Sequence, residues 1–562
     1  MQFNILQLFC RFNGLLTFIK SENTNKSDTM AVVADVPECS NLGLEILKMG
    51  GNAMDAAIAS AICVGTINSF SSGLGGGGFL MVKKPGNVLE VETVDFREVT
   101  PAKVRTQNYT GRKDVAKKGG FAVAVPGEVK GLHYAHKKYG KLSWETIFNK
   151  NAEIARSFKV SIQLEKRLVK LKKHIFADPG LRETFTRDGK LLKEGDIVYR
   201  LNYAKTLEIL AKNPEDFYRG TIAKAMIESI TENGGVMTMD DLKNYKIKTP
   251  EPKKGTYKDA TVFTTNLPTA GPLIIEAMNM LEIFDLKEIQ EIGQKYGIFP
   301  EYHLLNEIFK FMSARRSDLG DEDYTPNVEQ IVEQLISKKY ADDMTKAIKF
   351  DRALKIEEYG YEKPFVEDHG TTHLNTVDKN GMIVLLTSTI NLEFGAKFMD
   401  PQTGIIFNNE IDDFYIPSVR NAFDLPVSKA NIIVPGKRPF SSASPLLIIR
   451  KDETIALGAS GGTRIPTSIL NAFFHLQLGR NMQQAISQSR IHHQTMPHVT
   501  YIEGTLDPQI KSYLELMGNV VQVSSLNSIF TAVQGLRIIK KGDQTIIEAE
   551  SDPRKGGKAA KG

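Results

Sequence analysis

A threonine that opens a strand directly after a glycine, with a tight hairpin behind it, most limits what this chain can become. Gly370-Thr371-Thr372-His373 runs into the alternating stretch Leu374-Asn375-Thr376-Val377, and Met382 to Thr387 is rich in strand-forming residues. Between them lies Asp378-Lys379-Asn380-Gly381, which predicts a hairpin with its turn at the Asn-Gly pair. If the chain is cut between Gly370 and Thr371, the threonine becomes an N-terminal residue at the mouth of a strand. Its new α-amine, with an unperturbed pKa of about 7.7–8.0, can act as base for its own hydroxyl near neutral pH. Taken alone, Gly-Thr-Thr also describes an ordinary surface strand, and the surrounding residues have to decide between the two.

A length of 562 residues allows several domains or one large core. With 41% apolar and 24% charged residues, the chain reads as a soluble globular protein with ample core material. The net charge of +5 is small for this length, and much of it sits in the tail at Arg554, Lys555, Lys558 and Lys561. This gives no case for a nucleic-acid partner. The three cysteines, Cys10, Cys39 and Cys63, form no Cys-x-x-Cys pair. The residues alone leave Cys39 and Cys63 either bonded or as two buried thiols. Phe3 to Ile19 is apolar but carries Arg11 and Asn13. It is shorter than the roughly 20 apolar residues of a spanning helix and lacks a small-residue cleavage site. Residues 1–30 are therefore read as a separate N-terminal segment, in the manner of a degenerate membrane anchor. The sequons Asn25-Lys26-Ser27 and Asn108-Tyr109-Thr110 matter only in the secretory pathway.

Along the chain, Ser40 to Val64 reads as helical with a small-residue face, and Gly78 to Val82 and Leu89 to Asp95 as paired strands. Glu128 to Leu242 is mainly helical, Thr261 to Thr265 a strand, and Leu273 to Leu281 a helix. Residues 285–365 read as helical and polar, and residues 371–460 as dominated by strands. Helices follow at Ile465 to Leu478 and Met482 to Ser489, with Gly479 as a stop. Strands in both halves with helices before and after fit a helix–sheet–sheet–helix sandwich. The run Gly75 to Gly78 reads as tight packing rather than a nucleotide loop. His492, His493 and His498 do not make a metal site, because adjacent histidines diverge on regular structure and no cysteine or carboxylate completes a set. No metal or cofactor is called for.

The hairpin does not stand alone. Asp368-His369-Gly370-Thr371-Thr372-His373, Leu386-Thr387-Ser388-Thr389-Ile390-Asn391, Asn408-Asn409-Glu410-Ile411-Asp412-Asp413-Phe414, Pro435-Gly436-Lys437-Arg438-Pro439-Phe440-Ser441-Ser442 and Gly458-Ala459-Ser460-Gly461-Gly462 follow in order. Upstream lie Gly50-Gly51-Asn52-Ala53-Met54-Asp55, Ser72-Gly73-Leu74-Gly75-Gly76-Gly77-Gly78-Phe79 and Asp95-Phe96-Arg97-Glu98, and the tail carries Asp552-Pro553-Arg554-Lys555-Gly556-Gly557. This ordered set resembles the γ-glutamyltranspeptidase family from about Ala31 to the C-terminus. The resemblance implies an α+β chain folded as the four-layer αββα sandwich of the N-terminal-nucleophile hydrolases. It also implies a cut at Gly370–Thr371 into a large subunit, 31–370, and a small subunit, 371–562, which share one core as a heterodimer. Animal members of the family pair two cysteines at the spacing of Cys39 and Cys63, so a disulfide and an oxidising compartment are implied. That compartment is secretory: membrane-associated, vacuolar or extracellular.

The implied activity is γ-glutamyl transfer and glutathione hydrolysis, with glutathione and other γ-glutamyl compounds as donors and amino acids or dipeptides as acceptors. By the same resemblance Thr371 is the nucleophile and Thr389 its hydrogen-bonding partner. Gly461 and Gly462 form the oxyanion hole, where the lack of a Cβ lets backbone N–H groups approach the developing charge. Arg97 grips the donor α-carboxylate through its planar fork, with the hydroxyls of Ser441 and Ser442 beside it. Asn391, Glu410 and Asp413 receive the α-ammonium. Animal members carry tyrosine where this chain has Glu393, two residues after Asn391. A carboxylate there is expected to repel the carboxylate of an acceptor and to favour hydrolysis over transfer. Two other readings compete: an amidase of the β-lactam acylase type with the same fold, and a non-catalytic homologue that never matures. An amino-acid clamp argues against the first, and intact Thr371, Thr389 and Gly461-Gly462 against the second.

Overall fold

A computed structural model describes residues 28–86, 88–109, 111–112, 114–360, 370–416, 428–524 and 531–562. The apolar N-terminal stretch with the Asn25 sequon, and the Asp368-His369 lead-in, lie outside the described residues.

The hairpin read from the sequence forms the centre of the molecule. Strand Gly370–Val377 pairs antiparallel with Ile383–Asn391, so that Thr371 faces Thr389 and Leu374 faces Leu386. Gly381 takes a φ of +81° in the turn, and Asp378 N–H closes it on the Met382 carbonyl at 3.2 Å. A six-stranded antiparallel sheet grows around this pair in the order Lys558–Lys561, Ala31–Ala34, Gly370–Val377, Ile383–Asn391, Gly77–Lys83, Val91–Asp95. A second six-stranded antiparallel sheet runs Gln544–Ser551, Ala532–Lys541, Glu453–Ser460, Leu446–Ile449, Ala260–Thr264, Lys253–Tyr257.

Strand alternation sorts the side chains into layers. Val33, Met81, Leu385, Phe263, Leu447 and Leu536 pack between the two sheets. Leu374, Val384, Leu386 and Ile390 point the other way, into a core shared with helices Pro37–Lys48, Ala53–Ile67, Glu128–Tyr139 and Trp144–Arg156. Helices Gly271–Glu282 and Ile465–Gln477 cover the second sheet, and Pro300–Ala314 packs against Gly271–Glu282 in the same core. The four-layer αββα sandwich expected from the sequence is the fold. Thr371 shares the inter-sheet face with His373 and Asn375; Asn375 Nδ2 donates to the Gln534 carbonyl at 2.9 Å, bridging one sheet to the other.

The stretch Ser40 to Val64, read as helical, is two helices: Gly50 turns at φ +96° and Asn52 caps the second helix through the Met54 and Asp55 N–H groups. Cys39 and Cys63 sit one on each helix and are bonded, with Cα atoms 5.4 Å apart. The described part of 392–445 is irregular rather than strand-rich, holding only short 3-10 turns and isolated bridges. Its backbone groups are met by side chains instead of a ladder, as the site below illustrates. Helix Pro300–Ala314, within the stretch read as polar, is buried throughout; Lys310 Nζ meets Glu307 Oε1 at 2.7 Å and Asn519 Oδ1 at 2.6 Å.

The glycine run is a packing device, as expected. A Cβ on Gly76 would lie 2.0 Å from the Thr389 carbonyl oxygen, and one on Gly78 2.0 Å from that of Thr387. These glycines let a neighbouring strand press against the hairpin. His492 meets Thr467 Oγ1 through Nδ1 at 2.8 Å and Gln494 Oε1 through Nε2 at 3.1 Å. His493 Nδ1 accepts the Thr495 N–H at 2.9 Å. Among the described residues no helix is long and apolar enough to cross a membrane.

Candidate active site

The pairing of Gly370–Val377 with Ile383–Asn391 shifts register at Gly370/Thr371, so the first residues of the strand bulge away from the ladder. Thr371 is 4% exposed, and its Oγ1 lies 3.2 Å from Thr389 Oγ1. Thr389 Oγ1 also lies 2.6 Å from the Gly370 carbonyl oxygen and accepts the Asn391 N–H at 2.9 Å. A hydroxyl has one proton to give. Thr389 therefore donates to the Gly370 carbonyl and accepts from Thr371. The result is a directed chain from the Thr371 hydroxyl, through Thr389, to the peptide oxygen that precedes it.

Gly461 and Gly462 follow strand Glu453–Ser460 with φ values of +126° and +62°, in the turn before helix Ile465–Gln477. L side chains rarely adopt these angles. One buried cation joins this turn to the threonine. Lys555 Nζ donates to the Thr371 carbonyl at 2.8 Å and to Ser460 Oγ at 2.5 Å, and lies 3.2 Å from Asp35 Oδ2. Burial lowers the Lys555 pKa, and Asp35 opposes that shift. Asp35 in turn accepts from Thr372 Oγ1 at 2.7 Å. Lys555 and Asp35 were not legible as site residues, although Lys555 lies inside the Asp552–Gly557 motif.

Arg97 follows the edge strand Val91–Asp95. Its N–H is fixed by Asp95 Oδ1 at 2.8 Å, and its carbonyl accepts the Tyr245 hydroxyl at 2.9 Å. The side chain is fully buried, not engaged in a surface ion pair. Its guanidinium lies 2.9 Å from Glu410 Oε2 and 3.7 Å from Glu98 Oε2, bonds Asp413 Oδ2, and donates through Nε to the Pro439 carbonyl at 3.3 Å. Three carboxylates around one guanidinium leave an excess of negative charge. Burial pushes the Glu98 carboxyl up, towards its neutral form, with Arg97 opposing. Burial likewise pushes neighbouring Asp412 up to about 6. Such a site complements a zwitterion: the fork takes a carboxylate and the carboxylates take an ammonium.

Asparagines hold the carboxylate turn Glu410–Asp413 against the hairpin. Asn408 Oδ1 accepts the Ala124 and Glu410 N–H groups, each at 3.0 Å, while its Nδ2 donates to the Gly75 and Ala124 carbonyls at 2.8 Å. Asn391, at φ +67°, donates to the Asn409 carbonyl at 2.9 Å; its Oδ1 is buried without a hydrogen-bond partner among the described residues. Ser441 Oγ accepts the Ala443 N–H at 3.1 Å, and Ser442 Oγ accepts from Arg316 at 2.8 Å. Each serine keeps its own proton for donation. Ser441 and Ser442 share their loop with Pro439, which touches Arg97. The structure thus joins Thr371 to Thr389 and Arg97 to Glu410 and Asp413, while Gly461-Gly462 follow Ser460, which Lys555 links to Thr371, and the serines follow Pro439, which Arg97 bonds. Asn391 joins the two sets, one residue beyond the Thr389 neighbour Ile390.

Glu393 departs from expectation. Its carboxylate is held by Arg167 at 3.4 Å and Lys170 at 2.7 Å, so it is a compensated charge.

Comparison with known proteins bears on this geometry. A sequence profile of the family described as gamma-glutamyltranspeptidase matches residues 39–562. Glutathione hydrolase proenzyme 2 of Schizosaccharomyces pombe is 37% identical over 539 residues, 94% of this chain and 86% of that protein. The glutathione hydrolase proenzyme of Escherichia coli is 32% identical over 529 residues, 91% of this chain and 88% of that one. Among solved structures, cephalosporin acylase from Bacillus halodurans superposes with a TM-score of 0.82 over 95% of this chain and 96% of that chain; its 23% identity speaks for the fold alone. The Helicobacter pylori gamma-glutamyltranspeptidase, at 26% identity, matches with a TM-score of 0.52 over 57% of this chain and 91% of that chain. Sequence matched from Cys39 to the last residue, and relatives matched over most of their own length, leave one assignment: this chain belongs to the γ-glutamyltranspeptidase family.

Proposed function

We propose that the protein is a γ-glutamyltransferase and glutathione hydrolase that matures by cutting itself between Gly370 and Thr371. The observation that carries the reading is the zwitterion-binding set around Arg97, built beside a threonine pair with an intact peptide carbonyl in reach. In maturation, Thr371 Oγ adds to the Gly370 carbonyl while Thr389 hydrogen-bonds the oxygen that gains charge. The C–N bond breaks, the nitrogen takes the proton, and water hydrolyses the resulting ester to leave a free α-amine on Thr371. The same Oγ then attacks the γ-carbonyl of a donor, with its amine as base and the Gly461-Gly462 turn facing the oxyanion. The leaving amine takes a proton and departs. Water resolves the γ-glutamyl ester to glutamate, or an acceptor amine takes the group. Arg97, Ser441 and Ser442 hold the donor α-carboxylate, and Asn391, Glu410 and Asp413 its ammonium. The disulfide supports a secretory compartment.

The direct test incubates purified protein with glutathione and follows glutamate and cysteinylglycine. Both products are expected, with glutamate no more abundant than cysteinylglycine; cleavage of a β-lactam side chain with no glutathione turnover would replace this reading by the acylase one.

The link through Lys555 has a measurable consequence. Lys555→Met is expected to lower kcat about tenfold or more with a smaller change in KM, because the nucleophile and the oxyanion turn lose their common tether. Arg at this position should recover part of the loss. An unchanged kcat in Lys555→Met would make the tether merely structural.

The pairing of Glu393 revises what it does on the acceptor side. Arg167 lies close enough to Asp35 and Lys555 to influence both, so this cluster flanks the nucleophile. Glu393→Gln leaves Lys170 without its carboxylate and is expected to raise the ratio of transfer to hydrolysis with glycylglycine. Lys170→Met should lower it. Lys170 is 65% exposed, so screening limits each change to about twofold. Partition of product between glutamate and γ-glutamylglycylglycine measures it, and equal ratios in both variants would detach the cluster from acceptor choice.

A further inference from the structure

A cavity of about 690 Å³ lies apart from the nucleophile, where helices Leu286–Tyr296, Pro300–Ala314, Ile465–Gln477 and Pro508–Leu516 converge. Its volume is that of a small-molecule site. Helix Ile465–Gln477 begins just after the Gly461-Gly462 turn and ends at this cavity. At 1.5 Å per residue that is a separation of about 20 Å, too far for one small substrate to touch both.

Glu301, Tyr302, His475, Arg480, Leu506 and Asp507 are among the residues that line it. His475 is 1% exposed, and neither ring nitrogen has a hydrogen-bond partner among the described residues. Glu301 is 5% exposed, and its Oε2 likewise has none. Buried polar groups are nearly always paired, and two such groups facing one cavity are an arrangement that the reaction at Thr371 does not use. Burial, reinforced by Arg480 and Arg490, pushes His475 down to about 3, so its imidazole is neutral and offers one donor and one acceptor. Burial pushes Glu301 up to about 7, where an ammonium partner would favour its charged form. The Arg480 backbone N–H donates to the His475 carbonyl at 3.2 Å, and the Arg480 charge is near enough to the imidazole to help lower its pKa. The lining therefore combines the cation of Arg480, the carboxyl groups of Glu301 and Asp507 and the apolar surfaces of Tyr302 and Leu506. Two carboxyl groups disfavour an inorganic anion, and among the described residues no group of three metal-binding side chains exists.

We infer that this cavity is a second ligand site, for a free amino acid or dipeptide with an apolar side chain, whose ammonium meets Glu301 and whose carboxylate meets Arg480 and His475. The inference does not depend on the activity proposed for Thr371.

Equilibrium dialysis of radiolabelled L-phenylalanine against the full chain tests it, with phenethylamine and 3-phenylpropionate as competitors that each lack one charge. Saturable binding is expected, weakened about tenfold or more by Glu301→Gln and by Arg480→Gln, with each half-molecule competing about tenfold less well than phenylalanine. Turnover of glutathione without phenylalanine should be unchanged in both variants. Arg480 is half-buried at the rim, so its variant reads binding without disturbing the core, and unfolding midpoints check both. No saturable binding at millimolar phenylalanine would overturn the inference. So would binding that is lost in Arg97→Lys and untouched by Arg480→Gln, since the ligand then occupies the site around Thr371. Equal competition by the half-molecules would remove the zwitterion from it.

Discussion

Thr371→Ala is expected to leave one uncut chain of 562 residues and to lower glutathione turnover by about a thousandfold or more. Alanine keeps the strand and its packing but removes the hydroxyl proposed to attack the Gly370 carbonyl. The remaining donor, Thr389, still hydrogen-bonds that oxygen at 2.6 Å, yet polarising a peptide bond without a nucleophile does not cut it. Thr371→Ser restores the oxygen and should mature, more slowly, because serine lacks the methyl group that limits χ1. The wild type should give fragments 1–370 and 371–562 on a denaturing gel, the smaller beginning at Thr371. They should stay together in native buffer. In the first sheet Ala31–Ala34 pairs with both Gly370–Val377 and Lys558–Lys561, and in the second Ala260–Thr264 pairs with Leu446–Ile449. Separating the fragments would break ladders in both sheets. A small fragment that starts elsewhere, or any cutting of Thr371→Ala at this bond, would overturn the assignment of the nucleophile.

The hairpin and its turn were legible because they depend on local signals, alternation and an Asn-Gly pair, whereas Thr389 as the partner of Thr371 was read only from the family resemblance. The Arg97 and Glu410–Asp413 blocks were legible only as motifs. What joins them is not local. Asp413 reaches Arg97 because Asn408 and Asn409 bond the turn to the backbone of Gly75, Ala124 and Leu392. Asparagine in that role has no period to read. The same substitution of side-chain bonds for a ladder explains why the described part of 392–445, which holds many residues of high strand propensity, is irregular.

Charge misled the reading wherever burial decided it. Glu393 was read as a lone carboxylate, yet its partners Arg167 and Lys170 lie on a helix more than two hundred positions earlier. Lys555 was counted with a solvated basic tail, yet it is buried under Thr371. The Pro300–Ala314 helix was read as polar for the same reason, since Glu307 and Lys310 satisfy one another inside the core. A sequence shows that a charge is present; only the fold shows whether it is paired.

Arg97 brings these points together in the second large effect. Arg97→Lys is expected to raise the donor KM about thirtyfold to a hundredfold, with a smaller change in kcat. Lysine keeps the positive charge among Glu98, Glu410 and Asp413 but replaces a planar fork by a point, and bidentate contact with the α-carboxylate is lost. Self-cleavage should survive, because no donor takes part in it. Arg97→Met is a different experiment. It leaves Glu410 and Asp413, both buried beside Arg97, without that cation, and removing one partner of such a buried pair costs about 3–5 kcal/mol. That variant should unfold earlier in urea as well as lose donor binding, whereas Arg97→Lys should unfold near the wild type. Initial rates over a range of glutathione concentrations, with urea midpoints for both variants, separate the two effects. A donor KM unchanged in Arg97→Lys would mean that the guanidinium serves only to neutralise the carboxylates, and the donor carboxylate would then have to be held by Ser441 and Ser442 alone.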